Sequence, residues 1–369
     1  MIVSVLQEQF LIALSRTGRN VPVHPQLSIL QNTLLVTENR RLKIITANTE
    51  MTESVYVGAK IEKEGGICLP ARPLYEFVSS LPKDTVYMNA GKGLLTIRCL
   101  GASAKIPGVP KEEFPAIFQE GKKQKATIKK AAFVEALRAV VFCAATDEGR
   151  PVLGGVRIVK KEGGGEVVAT DGYRLSVVRS KPMGTGGLDA LIPAKAISEA
   201  LRTCQEEKTE GEIVFEQYAD KQVAFIIGDT EIRTRLIDGE YPKYEKIIPT
   251  KYNTRMLVEK PALERAVRLA AVFAKDNANI VRFHLENQTL SVSANAPQVG
   301  EDKIDIEAKI DGEGGDIAFN SRFLLEFLVN FNEDELLFEM TGALNPGVFR
   351  PVKNESYIYI IMPVRVSSG

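Results

Sequence analysis

Three cations recur in this sequence at one place in a repeated pattern. Arg72, Lys195 and Arg322 each stand at the opening of a helix-like stretch (L-P-A-R-P, L-I-P-A-K and N-S-R), 123 and 127 residues apart. A cation in a helix's first turn faces the positive end of its dipole and costs about 0.3–1 kcal/mol, so the same choice made three times implies a shared anionic partner. Arg138 and Arg268 add a matched pair on the helices that lead the second and third copies, where the first has Ser15 and Arg16. Evenly repeated cations without stacking aromatics suit contact with a phosphate backbone whose base sequence is not read.

The side chains that would run covalent or acid–base chemistry form no working set. His24 precedes a proline in a loop, and His284 lies in the strand-like run V-R-F-H-L. Cys68, Cys99, Cys143 and Cys204 show neither CxxC nor metal-ligand spacing. The glycines 163–165 are followed by no Lys-Ser/Thr pair and lead into a strand, not a helix, so no phosphate loop is expected there. No catalytic residue, metal or cofactor is therefore expected.

The elements that position the cations also repeat. Val167 to Val178 reads as two β-branched runs around a polar knuckle of Thr170, Asp171, Gly172, Tyr173 and Arg174, the pattern of a hairpin. Asn48, Asp171 and Asn295 occupy one slot in three such stretches, 123 and 124 residues apart. Leading helices are predicted over 6–17, 129–144 and 260–275, and second helices from about 71, 193 and 320, each carrying an apolar stripe. Strands fill the intervals, so each copy spells βαβββ twice. The fold class is α+β, in three domains over 1–119, 126–248 and 249–369. The chain closes on Y-I-Y-I-I-M-P-V-R-V, an apolar strand cut by Pro363.

Composition sets the frame. A chain of 369 residues, 44% hydrophobic and 25% charged, can bury cores in two to three ordinary domains. Its 47 basic and 47 acidic residues cancel, so a nucleic acid must be met by locally sorted charge rather than a bulk field. The N-terminus lacks a signal-peptide pattern and no run is long enough to span a bilayer, which predicts a cytoplasmic protein with reduced thiols and no membrane partner.

The three-fold repeat, A-T-D-G-Y-R-L at 169–175, T-D-E-G-R-P-V-L-G-G-V at 146–156, D-G-E-Y-P at 238–242 and the closing M-P-V-R-V resemble the bacterial DNA polymerase III β subunits, the sliding clamps, over essentially the whole chain. The resemblance implies a non-catalytic processivity factor. It implies a head-to-tail homodimeric ring with helices inside and sheets outside, encircling double-stranded DNA without regard to sequence. It also implies a hydrophobic cleft between the second and third domains that takes short linear motifs of the replicative DNA polymerase, the clamp loader and repair polymerases. Carried onto this chain, the cleft is Leu153, Thr170, Gly172, Tyr173, Arg174, Leu175, Pro242, Lys246, Ile247, Ile360, Met362, Pro363, Val364 and Arg365. Tyr173, Lys246 and Val364 depart from the family's common histidine, arginine and methionine. Arg150 and His24 join the DNA-facing set, and Ile106, Val272 and Phe273 are the dimer-seam candidates. The competing expectation is a repeat-built interaction scaffold that does not bind DNA.

Overall fold

A computed structural model describes all residues except 117, 119–120, 148, 162–163, 181–188, 297–299, 354 and 366–369. Gly163 of the glycine cluster and Val366 of the tail thus lie outside the described residues.

The doubled βαβββ grammar is present in all three copies. The first runs β1 (Ile2–Leu6), α1 (Gln7–Gly18), β2 (Asn32–Glu38), β3 (Arg41–Ala47) and β4 (Met51–Lys63), then β5 (Gly66–Pro70), α2 (Ala71–Ser79), β6 (Thr85–Gly91), β7 (Leu94–Cys99) and β8 (Ala102–Pro107). The second runs β9 (Lys123–Lys129), α3 (Lys130–Val141), β10 (Gly155–Lys161), β11 (Gly164–Thr170) and β12 (Arg174–Ser180), then β13 (Ala190–Pro193), α4 (Ala194–Glu206), β14 (Glu212–Tyr218), β15 (Gln222–Ile227) and β16 (Thr230–Arg235). The third runs β17 (Thr254–Glu259), α5 (Lys260–Ala274), β18 (Ile280–Glu286), β19 (Thr289–Ala296) and β20 (Gly300–Glu307), with a short β21 (Lys309–Gly312), then β22 (Gly315–Asn320), α6 (Ser321–Asn330), β23 (Glu335–Met340), β24 (Gly347–Pro351) and β25 (Tyr357–Ile361).

Local chemistry accounts for the punctuation. The β2–β3 and β18–β19 hairpins turn on Asn39-Arg40 and Asn287-Gln288, all four at positive φ. That is the primed two-residue turn whose twist matches the strands, and asparagine tolerates it best after glycine. The knuckle slot is less uniform than the sequence suggests. Asn48 and Asp171 each fold back so that Oδ1 accepts two backbone N–H groups, from Glu50 and Met51 and from Tyr173 and Arg174. Asn295 instead lies within β19, paired with Glu301 of β20.

Packing does not follow the repeat. The chain forms two compact units, one of residues 1–130 with 195–236, the other of 131–194 with 237–369, so the second repeat is shared between them. In the first unit a twelve-stranded sheet runs β8-β7-β6-β1-β4-β16-β15-β14-β9, with β3, β2 and β5 continuing from β4. In the second, a nine-stranded sheet runs β13-β10-β11-β12-β25-β24-β23-β17-β21, beside a four-stranded sheet β20-β19-β18-β22. The strands that cross repeats are β4 with β16 and β12 with β25, both antiparallel. Each of these ladders joins part of the second repeat to a neighbouring repeat within one of the two units.

The helix stripes point inward as the spacing predicts. Phe10, Ala13 and Leu14 of α1 and Leu74 and Val78 of α2 pack with strand residues in one core of the first unit. In the second unit Phe283, Phe319, Phe327, Phe338, Phe349 and Tyr359 form a continuous cluster of rings, Phe327 lying flat on Tyr359 at 4.5 Å.

Candidate functional site

The residues expected to line a cleft all belong to the second unit, and the β12–β25 ladder is what gathers them. Leu175 faces Ile360 and Val177 faces Ile358 across the ladder. These four join Val168, Val348 and Tyr244 in a compact apolar cluster against which Tyr241 and Ile248 pack. Leu175 and Ile360 are 3% and 1% exposed, so of the residues expected to line a cleft these two lie beneath the surface rather than on it.

The rim is built from three segments. The hairpin turn contributes Thr170, whose hydroxyl donates to the Arg174 carbonyl at 2.6 Å and accepts from Gly172 N at 3.0 Å. Gly172 has φ +89°, and a Cβ there would meet the Arg150 guanidinium, so this turn requires glycine. Tyr173 projects from the turn, exposed, between the Arg150 guanidinium at 5.9 Å and the Phe323 ring at 6.5 Å. The linker contributes exposed Pro242, Lys246 and Ile247, the last two on a single helical turn, Tyr244–Ile247. That turn is anchored by Tyr244, whose hydroxyl donates to the buried Glu166. The tail contributes Met362, Pro363, Val364 and Arg365. Pro363 ends β25 as its missing N–H demands, yet the tail stays fixed because Met362 N donates to the Tyr173 carbonyl at 2.9 Å and Val364 N to that of Ala318 at 2.8 Å. Leu153 sits half-buried on the turn Pro151–Gly154.

Arg174 behaves differently from its expected place on the cleft surface. Its side chain is 7% exposed and held by several partners. Nε donates to Asp171 Oδ2 at 3.1 Å and Nη2 to the Phe142 carbonyl at 2.7 Å, while Nη1 lies 2.5 Å from Glu326. The guanidinium also covers the Phe323 ring at 4.4 Å. Burial works against the charge, but Tyr359, Cys143 and Glu326 outweigh it and raise the pKa above the ordinary arginine value. Phe142, Phe323 and Glu326 were not singled out in the sequence. Glu326 had a signal, since Glu76, Glu199 and Glu326 are spaced by the same 123 and 127 residues as the helix cations.

Those cations sit where the spacing puts them, each the second residue of its helix: Arg72 in α2, Lys195 in α4 and Arg322 in α6. All three are exposed. Two of the three have an acidic partner. Arg72 pairs with Glu76 one turn on at 2.8 Å, and Lys195 lies 3.5 Å from Glu50. Arg268 pairs with Glu264, Arg150 with Asp147 at 3.1 Å, and Arg138 donates to Asn330 Oδ1 at 3.4 Å. His24 is exposed in its loop. Arg16 departs from the set: it is largely buried, held by Glu206 at 2.9 Å and the Thr230 hydroxyl at 3.2 Å.

Of the seam candidates, Val272 is 59% exposed, and Phe273 lies against Gly300 at the start of β20. Ile106 instead points into the first unit's core, which leaves the backbone of its strand β8 as the feature at that sheet edge. All four cysteines are free and buried, and burial raises the Cys68 and Cys204 thiols to about 11, which keeps them protonated and inert. No helix among the described residues is long and apolar enough to cross a membrane.

Comparison with known proteins agrees along the whole chain. Models of the N-terminal, central and C-terminal domains of the DNA polymerase III beta subunit match residues 1–118, 127–243 and 245–365. The beta sliding clamp of Synechococcus elongatus is 29% identical over 371 residues, covering 98% of each chain, and that of Streptomyces coelicolor is 28% identical with 96% of each covered. Among solved structures, the sliding clamp of Bartonella birtlesii bound to griselimycin superposes with a TM-score of 0.93 at 27% identity, covering 99% of this chain and 100% of that one. The Bacillus subtilis clamp, at 23% identity and 99% coverage of both chains, has a TM-score of 0.93 and the same fold. With an unbroken match through all three repeats and the hairpin, ladder and tail in place, the chain belongs to the DNA polymerase III β subunit family, the bacterial sliding clamps, which are non-catalytic.

Proposed function

We propose that two copies of this chain close head to tail into a ring that encircles duplex DNA in the cytoplasm, helices facing the DNA and sheets outward. Its three domains span 1–119, 126–248 and 249–369. It tethers the replicative polymerase, the clamp loader and repair polymerases through the cleft of the second unit.

One observation carries the ring. The third strand after the leading helix of one repeat pairs with the last strand of the next: β4 with β16, then β12 with β25. Continued once more, the rule leaves β20 of the third repeat and β8 of the first without their partner, and both are edge strands of their sheets. Two edges that need each other and lie at opposite ends of the repeat series are satisfied by a second copy, in a heterologous contact that closes after two chains. The helices obey the same rule. Arg16 and Arg19 at the end of α1 meet α4, and the positions matching them on α5 are Leu269 and Val272, apolar and 50% and 59% exposed. Exposed apolar side chains at a seam position call for a covering surface, with Phe273 beside them.

For DNA, Arg72, Lys195, Arg322, Arg138, Arg268, Arg150 and His24 offer contacts, and Arg72, Lys195, Arg268 and Arg150 among them are already softened by acidic neighbours, which suits a hold that slides. For the cleft, an apolar floor under an aromatic and methionine rim suits an extended peptide with a few buried anchors, and griselimycin, bound by the Bartonella relative, is the probe of choice.

Light scattering of the full chain should give about twice 40.6 kDa, and Val272→Glu should shift it toward the monomer. A strict monomer at micromolar concentration overturns the ring. Charge reversal at Arg72, Lys195 and Arg322 together should shorten retention on circular DNA, with a smaller dependence on salt; unchanged retention would instead favour a scaffold that does not hold DNA.

A further inference from the structure

We propose that Glu326 is a positioning residue for the cleft: by holding the Arg174 guanidinium it fixes the wall formed by Tyr173 and Phe323. The inference rests on the cleft reading above and deepens it.

Arg174 is where a turn of the second repeat is fastened to a helix of the third. Asp171 and the Phe142 carbonyl hold the guanidinium from its own repeat, while Glu326 and the Phe323 ring, both on α6, hold it from the other side. Arginine suits this place because its planar fork can serve three acceptors and still lie on an aromatic face. It also cannot shed its proton, so a lost carboxylate leaves a buried charge that must move toward other partners.

The residue next to it is Tyr173, the exposed ring of the rim. Its carbonyl receives Met362 N and its ring stacks on Phe323 with an interplanar angle of 26°. One wall of the cleft is therefore an aromatic pair drawn from two repeats, and its spacing depends on the Arg174 anchor. The first junction gives the contrast. Glu199 holds the matching place on α4 but takes Arg19 from just after α1, and Met51 stands where Arg174 does. A seam acid thus recurs in the repeats, and at the second junction it is connected to a turn that presents a ring to a ligand.

Glu326→Gln keeps the side chain's shape, removes its charge and alters a half-exposed position, so the fold should survive. Titration of griselimycin into the full chain is expected to show roughly ten-fold weaker binding in the variant, with the melting midpoint moved by only a few degrees. If Glu326 acts through Tyr173, the ten-fold loss should shrink below about two-fold in a Tyr173→Ala background. Equal affinity of wild type and E326Q overturns the inference, as does a loss that persists undiminished without Tyr173. Failure of the wild-type chain itself to bind griselimycin removes the cleft reading and this inference with it, so the two failures are told apart by which protein fails.

Discussion

The β4–β16 and β12–β25 junctions are two versions of one construction, and their chemistry is opposite. Register is shared: Thr52 faces Arg233 and Ser54 faces Glu231 in the first, where Leu175 faces Ile360 and Val177 faces Ile358 in the second. On the helix side of the first, Arg16 of α1 and Arg19 just after it meet Glu199 and Glu206 of α4, near Glu53 on β4. Ser176 takes the place of Glu53 in the second and donates to the Ala139 carbonyl at 2.6 Å. On the face away from the helices the first junction is polar and the second apolar, while the helix side of the second is still fastened by the Arg174–Glu326 pair; the proposed peptide cleft is placed at the second for that apolar face. An apolar anchor gains roughly 25 cal/mol per Å² buried against Leu175 and Ile360, whereas over Thr52 and Arg233 it would desolvate polar groups for nothing.

The contrast can be broken at Glu53. Both its carboxylate oxygens are buried without a hydrogen-bond partner. Burial, with Glu199 adding and Arg19 opposing, pushes its pKa up to about 8. A carboxyl whose folded pKa lies above its unfolded value favours the folded state least when ionised, so stability should fall as pH rises from about 4.5 to about 8 and level off above. Glu53→Gln should abolish that slope, leaving the variant near wild type at pH 5 and more stable by several kcal/mol at pH 9. Melting midpoints across that range measure it, and parallel curves for the two proteins would show that Glu53 is not the source.

A smaller effect sharpens the apolar side. Leu175→Ala should cost about 2–4 kcal/mol in chemical denaturation, while Thr52→Ala at the matching place should cost less than about 1 kcal/mol. Equal losses would mean that the two floors do not differ in kind. Smallest is Glu206→Gln, which weakens two partly exposed ion pairs and should cost about 0.5–1.5 kcal/mol, declining as salt is raised.

Much of this was readable before any coordinates. The stripes of α1, α3 and α5 and the second-position cations of α2, α4 and α6 fall where their spacing puts them, because a helix converts sequence period directly into a face. The knuckle was legible because Asp171 and Gly172 carry their own turn chemistry. Arg174 was not, since no local pattern distinguishes a guanidinium open to a cleft from one enclosed by Phe142, Phe323 and Glu326, residues up to 152 positions away in the chain. The burial of Ile106 was not legible for a similar reason: alternation along β8 gives two faces but not which of them meets the core.

The sequence by itself determined the units, six βαβββ elements with their turns and helix charges, because those depend on neighbours a few residues apart. The tertiary structure decided which strands cross between repeats, how the second repeat is divided between two compact bodies, and which junction is apolar. Those outcomes depend on side chains more than a hundred residues apart meeting across a ladder, where each pairing is settled by whether burial leaves its charges partnered.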